Sequence, residues 1–190
     1  MTVMRQSQRH YSLDEYFLAE QMSPLKHEYF AGQIFTMSGG SNNHVLIGVN
    51  VITFLRVALR GSGCKVYSGD MRIRTPSGLY TYPDASVVCG SPDLARIQGT
   101  DTIGNPVVVV EVLSESTGEY DRGEKFELYR SIPTFRDYVL IEQTHVGIEH
   151  RYHANGEWSS RTFSALDERV GLTGVSVEMP LSMVYDDVTF

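Results

Sequence analysis

No apolar run in this chain approaches the ~20 residues that cross a bilayer, and the N-terminal stretch MTVMRQSQRHYSLDEYF lacks an apolar core. A membrane span and a signal peptide are therefore not expected, and the cytoplasm is the expected compartment. Cysteine is scarce: Cys64 and Cys89 are the only two, and no Cys-x-x-Cys pair exists for zinc. They fall in different candidate strands and are expected to be buried free thiols in a reducing compartment. Basic charge is in deficit as well. Sixteen Lys and Arg face 23 Asp and Glu, a net charge of −7. This balance disfavours a surface dedicated to nucleic-acid phosphates. Carboxylates gathered around a divalent cation would reverse that sign locally. Glycine-rich phosphate loops of the GxxxxGK[ST] and GxGxxG kinds are missing, as is a GxSxG nucleophile elbow.

What is present is an ordinary globular composition, 42% hydrophobic and 21% charged, long enough for one domain with its own core. We find no internal repeat, and residues 1–190 read as a single domain. Ser12 and Glu15 form a capping box ahead of a short helix from Leu13 to about Glu20. HEYFAGQIFTMS reads as two extended pieces around Ala31-Gly32. The longest helical pattern begins at Ser41 or Asn42, with Val45, Val49, Ile52, Leu55 and Leu59 as its apolar stripe, and ends at Gly61 and Gly63. CKVYSGDMRIRT follows as a strand with a kink or bulge at Gly69. The segment after Pro83 is a strand, SPDLARIQGTD a polar loop, and VVVVEVL a buried strand. A second helix, capped by Ser116 and Glu119, stops at Pro133. FRDYVLIE is extended, and HVGIEHRYHANGEWSSRTF is a hairpin turning at Asn155-Gly156. The tail adds one strand and a short end piece. The order predicts an α/β (α+β) fold with a mixed sheet.

Glu111 is the anomaly, because it interrupts the run Val107–Val110 and is followed by Val112 and Leu113. A strand of this composition is buried on both faces, and a carboxylate is rarely buried without a partner or a metal. Asp84, after Pro83 at the start of a neighbouring strand, is the natural second carboxylate. Two carboxylates on one face of adjacent strands suit Mg²⁺ (or Mn²⁺), which takes one or two carboxylates plus waters and phosphate oxygens. The backbone carbonyl of Val112 is a further candidate ligand. The plain alternative is that Asp84 caps a turn and Glu111 pairs with Arg72 or Arg74.

Lys125 lies on the following helix, on the same side as Leu128 and Tyr129. It is about 10 Å down that helix, at ~1.5 Å per residue. Glu111 is about 7 Å back from the strand end, at ~3.3 Å per residue. The two thus stand at roughly the same level, and an ammonium there would offset charge building on a phosphate. The alternative is a lysine that snorkels to water. Glu28 is a candidate to complete the metal shell or bind a second water. His44 and Asp70 are candidates for substrate contact, as are Arg72 and Arg74 in the basic stretch Arg56–Arg74. Surface or capping roles compete for each.

YTYPDASVV, VVVVEVLSEST and EYDRGEKFELYRSI, in that order, resemble the bacterial putative restriction endonuclease family of the PD-(D/E)XK nuclease superfamily. KHEYFAGQIFTMSGGSNNH and YSGDMRIRTPSGLYTYPD resemble it too. The resemblance covers nearly the whole chain. It implies a restriction-endonuclease-like mixed sheet flanked by helices, with extra N- and C-terminal strands, and a Mg²⁺-dependent phosphodiesterase site. Its carboxylates map to Asp84 and Glu111. The superfamily lysine belongs two residues after the acid, where this chain has Leu113. In the family it is displaced to the next helix, which maps to Lys125. The resemblance thus implies a DNA endonuclease, DNA being favoured over RNA, with a homodimer plausible. The acidic charge and displaced lysine support a second reading, a degenerate nuclease fold that binds nucleic acid or protein.

Overall fold

The structure is a computed structural model and describes residues 9–37 and 39–190. Ser12 starts α1 (Leu13–Met22) with the expected capping box: Glu15 N donates to Ser12 Oγ, and Ser12 N donates to Glu15 Oε2 at 2.8 Å. The helix buries Tyr16 and Phe17. β1 (His27–Phe30) and β2 (Gln33–Thr36) form a hairpin over Ala31 and Gly32. Both turn residues have positive φ, 48° and 82°, as such a tight turn requires. Ser41 caps α2 (Asn42–Ala58), its hydroxyl accepting from His44 N.

The strands β3 (Cys64–Ser68), β4 (Arg72–Arg74), β5 (Tyr80–Thr81) and β6 (Ala85–Cys89) follow. Next come β7 (Leu94–Ile97), β8 (Thr100–Ile103) and β9 (Val108–Leu113). Two short helices, α3 (Gly118–Arg122) and α4 (Glu124–Tyr129), connect β9 to β10 (Asp137–Glu142). The chain ends in β11 (Ile148–Ala154), β12 (Glu157–Phe163), β13 (Arg169–Leu172), β14 (Val177–Pro180) and α5 (Leu181–Val184).

The fold is mixed α+β. One six-stranded sheet has the order β2-β1-β5-β4-β8-β7, and a second has β12-β11-β10-β9-β6-β3. β13 and β14 pair separately. β9 and β10 run parallel across the α3–α4 connection, while β6 pairs antiparallel with β9. Alternation along the second sheet divides its core. Val87, Val110 and Val139 meet Ile47, Val51 and Leu55 of α2 on one face. Val109, Leu113 and Leu140 meet Phe126, Tyr129 and Tyr138 on the other. Full burial of a side chain such as Leu55 contributes about 1.5–3 kcal/mol.

Several expectations are corrected. The buried row of α2 is Ile47, Val51, Leu55 and Leu59, whereas Val45 and Val49 are more than half exposed. Valines on both sides of the helix blurred the phase. CKVYSGDMRIRT is not one kinked strand. The chain turns at Gly69-Asp70 and leaves the second sheet (β3) for the first (β4). It returns between β5 and β6, through Pro83 and Asp84. SPDLARIQGTD contains the strand β7, which pairs with β8 over Gln98 and Gly99, both at positive φ. The helix after Glu111 breaks at Gly123, and its start has no side-chain cap; Ser114 Oγ instead accepts from Thr117 N.

The cysteines are not free. Cys64 and Cys89 stand opposite each other in the β3–β6 register and form a disulfide. It spans a 25-residue separation that includes Asp84, worth about 3–4 kcal/mol in a chain-entropy account.

Candidate active site

The register Ala85↔Val110 and Ser86↔Val109 places Asp84, one residue before β6, across from Glu111. Opposed residues of an antiparallel pair project to the same face. Asp84 is fixed by two hydrogen bonds. Val112 N donates to its Oδ2 at 2.7 Å, and His44 Nε2 lies 2.8 Å from its Oδ1. Its side chain stays 26% exposed, so the acid sits at an opening. The contact with Asp84 raises the pKa of His44, with burial opposing.

Glu111 is buried and reaches Lys125. Nζ of Lys125 lies 3.0 Å from Glu111 Oε1, 2.8 Å from Glu28 Oε1 and 3.2 Å from Asp121 Oδ1. Tyr129 donates to Glu111 Oε1 at 2.9 Å. Glu28 comes from β1 of the first sheet and accepts a hydrogen bond from Thr81 Oγ1. One ammonium therefore faces three buried carboxylates. Burial pushes the Glu111 carboxyl well above its ordinary pKa; Lys125 opposes this, and Asp121, Asp84 and Glu28 add to it. Burial also works against the charged form of Lys125, yet Glu111 and Glu28 outweigh it and hold its pKa well above the ordinary value.

The structure thus gathers Asp84, Glu111, Lys125, Glu28 and His44 at one seam between the two sheets. Asp70 lies on its rim, because the Gly69 turn packs on Pro83 and Asp84. A Cβ at Gly69 would stand 3.6 Å from the Pro83 carbonyl oxygen. Asp70 itself pairs with Lys26. Val112 contributes its backbone N–H to Asp84. Neither arginine pairs with Glu111. Arg72 is a core cation of the first sheet, bonded to Thr102 Oγ1 at 2.9 Å and Ile97 O at 3.1 Å, and 5.0 Å from the Phe17 ring. That burial rules out the substrate contact expected for it. Arg74 pairs with Asp93 at 2.8 Å. Asp121 and Tyr129 were not singled out from sequence. Asp121 had a signal, standing four residues before Lys125 on a helix.

Among the described residues, no group of three or more His, Cys, Asp and Glu side chains is already arranged as a metal site. Mg²⁺ needs fewer protein ligands than that. Asp84 and Glu111 are the hard oxygen donors that suit it. Two of the four buried side-chain polar atoms without a hydrogen-bond partner among the described residues lie beside Lys125: Tyr120 Oη and Asp121 Oδ1. Asp121 Oδ1 lies near the Lys125 ammonium without accepting a hydrogen bond from it. Orphaned oxygens of this kind mark places that an ion or water satisfies. By the chemistry of their donors, Asp84 and Glu111 are the residues that would hold a divalent cation.

The Tyr120 ring stands 5.8 Å from Lys125 Nζ. Because its hydroxyl has no hydrogen-bond partner within the protein, Tyr120→Phe is expected to change stability by no more than about 1 kcal/mol in either direction. Urea unfolding measures this, and a loss above 1 kcal/mol would show that the hydroxyl is bonded.

The chain is similar to known proteins in sequence and in fold. Residues 13–182 match the model of the Uma2 family, described as "Putative restriction endonuclease". The uncharacterised protein slr1290 of Synechocystis sp. (strain ATCC 27184 / PCC 6803 / Kazusa) is 39% identical over 182 residues, 94% of this chain and 93% of that protein. A second uncharacterised protein of that organism, sll1609, is 31% identical over 137 residues, 72% of this chain and 77% of that protein. In fold, the chain is similar to the crystal structure of a putative nuclease belonging to DUF820 from Anabaena variabilis. The TM-score is 0.75 at 15% identity, covering 94% of this chain and 99% of that one. With its two mixed sheets, its seam of acids and this match across most of its length, the chain belongs to the Uma2 putative restriction endonuclease family.

Proposed function

We propose that this protein is a divalent-metal-dependent nuclease that hydrolyses phosphodiester bonds, with DNA as substrate and Mg²⁺ or Mn²⁺ as cofactor. The observation that carries this reading is the juxtaposition of Asp84 and Glu111 across β6 and β9, with Lys125 Nζ 3.0 Å from Glu111. A cation held by these carboxylates supplies an activated water and charge against the scissile phosphate. Asp84 is presented by His44 and by the backbone N–H of Val112, at the open side of the seam. Tyr129 orients Glu111. Lys125, kept protonated by its carboxylates, donates to the attacking water or to a phosphate oxygen as negative charge grows. Glu28 and Asp121 hold that ammonium in place.

Nicking of supercoiled plasmid tests the reading. Wild type with Mg²⁺ or Mn²⁺ is expected to nick, EDTA to stop it, and Asp84→Ala to abolish it. Nicking that survives both changes overturns the assignment. The further contacts of Lys125 with Glu28 and Asp121, which engage its ammonium away from a substrate, favour the second reading, a nuclease fold retained for binding. It predicts no calorimetric binding of Mg²⁺ or Mn²⁺ and no nicking.

A further inference from the structure

Most basic side chains among the described residues lie within 4 Å of a carboxylate or are bonded to hydroxyl or carbonyl oxygens. Arg56, Arg60, Lys65, Arg161 and Arg169 have neither kind of partner. Four of these five line two cavities. Arg56 and Arg60 border one at the end of α2, and Arg161 and Arg169 border another between β11–β12 and β13–β14. Only the second has aromatic groups to accompany its charge.

In that cavity the guanidinium of Arg161 lies over the Tyr152 ring, 5.6 Å from its centroid. Tyr152 in turn stacks on His150, with centroids 5.3 Å apart and planes 28° from parallel. The stack is anchored from below. His150 Nε2 is 2.9 Å from Asp137 Oδ1, and Asp137, fully buried, also accepts from Thr173 N at 2.9 Å and Gly174 N at 2.7 Å. These bonds tie β10 and β11 to the β13–β14 hairpin and hold the two arginine-bearing walls in fixed relation. Glu178 also lines the cavity, beside Gly171.

The cavity is separate from the candidate active site. His150 pairs with Val139, whose side chain joins the core against α2; Glu111 pairs with Leu140, which joins the opposite core. We propose that this cavity is a phosphate-binding subsite that holds the backbone of a nucleic-acid strand, with Arg161 and Arg169 on the phosphate and the Arg161–Tyr152 stack beside a base. Guanidinium forks match phosphate oxygens, and stacked rings with arginine accept bases of any sequence. The subsite does not depend on the cleavage reading.

Fluorescence anisotropy with a labelled single-stranded oligonucleotide, in EDTA and low salt, tests it with the full chain. The Arg161→Ala/Arg169→Ala variant is expected to bind at least tenfold more weakly. Its slope of log K against log salt should be shallower by about 1.4, or ~0.7 for each lost contact. Glu178→Gln, which removes the one acid of the cavity, should tighten binding about threefold. Matching melting curves and Trp158 emission verify that the variants are folded. A double variant that binds the strand within twofold of wild type overturns the proposal. So does calorimetry in which inorganic phosphate occupies the site while the strand does not bind. Neither readout involves cleavage, so plasmid nicking stands or falls independently.

Discussion

Replacing Lys125 by methionine is expected to destabilise the protein by about 3–5 kcal/mol, the cost of removing one partner from a buried ionic cluster. The melting temperature should fall on the order of 10 °C, at 2–4 °C per kcal/mol for a chain of this size. Methionine fills much of the lysine volume, so packing changes little and the loss is electrostatic. Glu28, Glu111 and Asp121 would remain buried with no cation among them. That loss is a large fraction of the 5–15 kcal/mol typical of a folded domain. Plasmid nicking should drop as well, by 100-fold or more, as when a preorganised donor to developing charge is removed. Differential scanning calorimetry decides the stability part. A melting temperature within 2 °C of wild type would mean that the carboxylates find other partners and that Lys125 is not their keystone.

Glu111→Gln is expected to move activity and stability in opposite directions. Glutamine keeps an oxygen to accept from Tyr129 and removes one of the negative charges around Lys125. Burial and the neighbouring acids raise the Glu111 pKa, so ionising this carboxyl is costlier in the fold than in the unfolded chain. The neutral isostere lifts that cost, for a gain of about 1 kcal/mol, in the manner of many stabilising changes at functional sites. Under the proposed mechanism nicking should fall on the order of a thousandfold, because a carboxylate that would hold the metal is lost. Retained nicking would remove Glu111 from the reaction. A lower melting temperature would instead mean that its charge supports the fold.

The pair of acids was legible because strands alternate with a period of two and a carboxylate among valines is conspicuous. Lys125 was legible only through the resemblance. Matching levels on strand and helix allowed contact without selecting it, and Gly123 breaks the helix on which that estimate relied. The passages between sheets at Gly69 and Pro83 left no signal, since short strands look alike whichever sheet receives them. The same blindness hid the disulfide, which depends on Cys64 and Cys89 being opposite in a register that no local pattern encodes. Arg72 reads as a surface charge until the rings of Tyr16, Phe17 and Tyr80 are seen to enclose it. The phase error on α2 has a simpler cause: its apolar residues exceed what one buried face needs.

Glu28 alone among these acids comes from the first sheet, while Glu111, Asp121 and Lys125 belong to the second sheet and its crossover and Asp84 sits on the passage between the sheets. The constellation therefore behaves as a clasp across two sub-assemblies. A fluctuation that parts the sheets at the seam, with the valine core beneath α2 still closed, would release Glu28 and leave the ammonium to rearrange. On slow heating, function would then fade before the cooperative transition, and amide exchange in β1 would quicken ahead of that in β9.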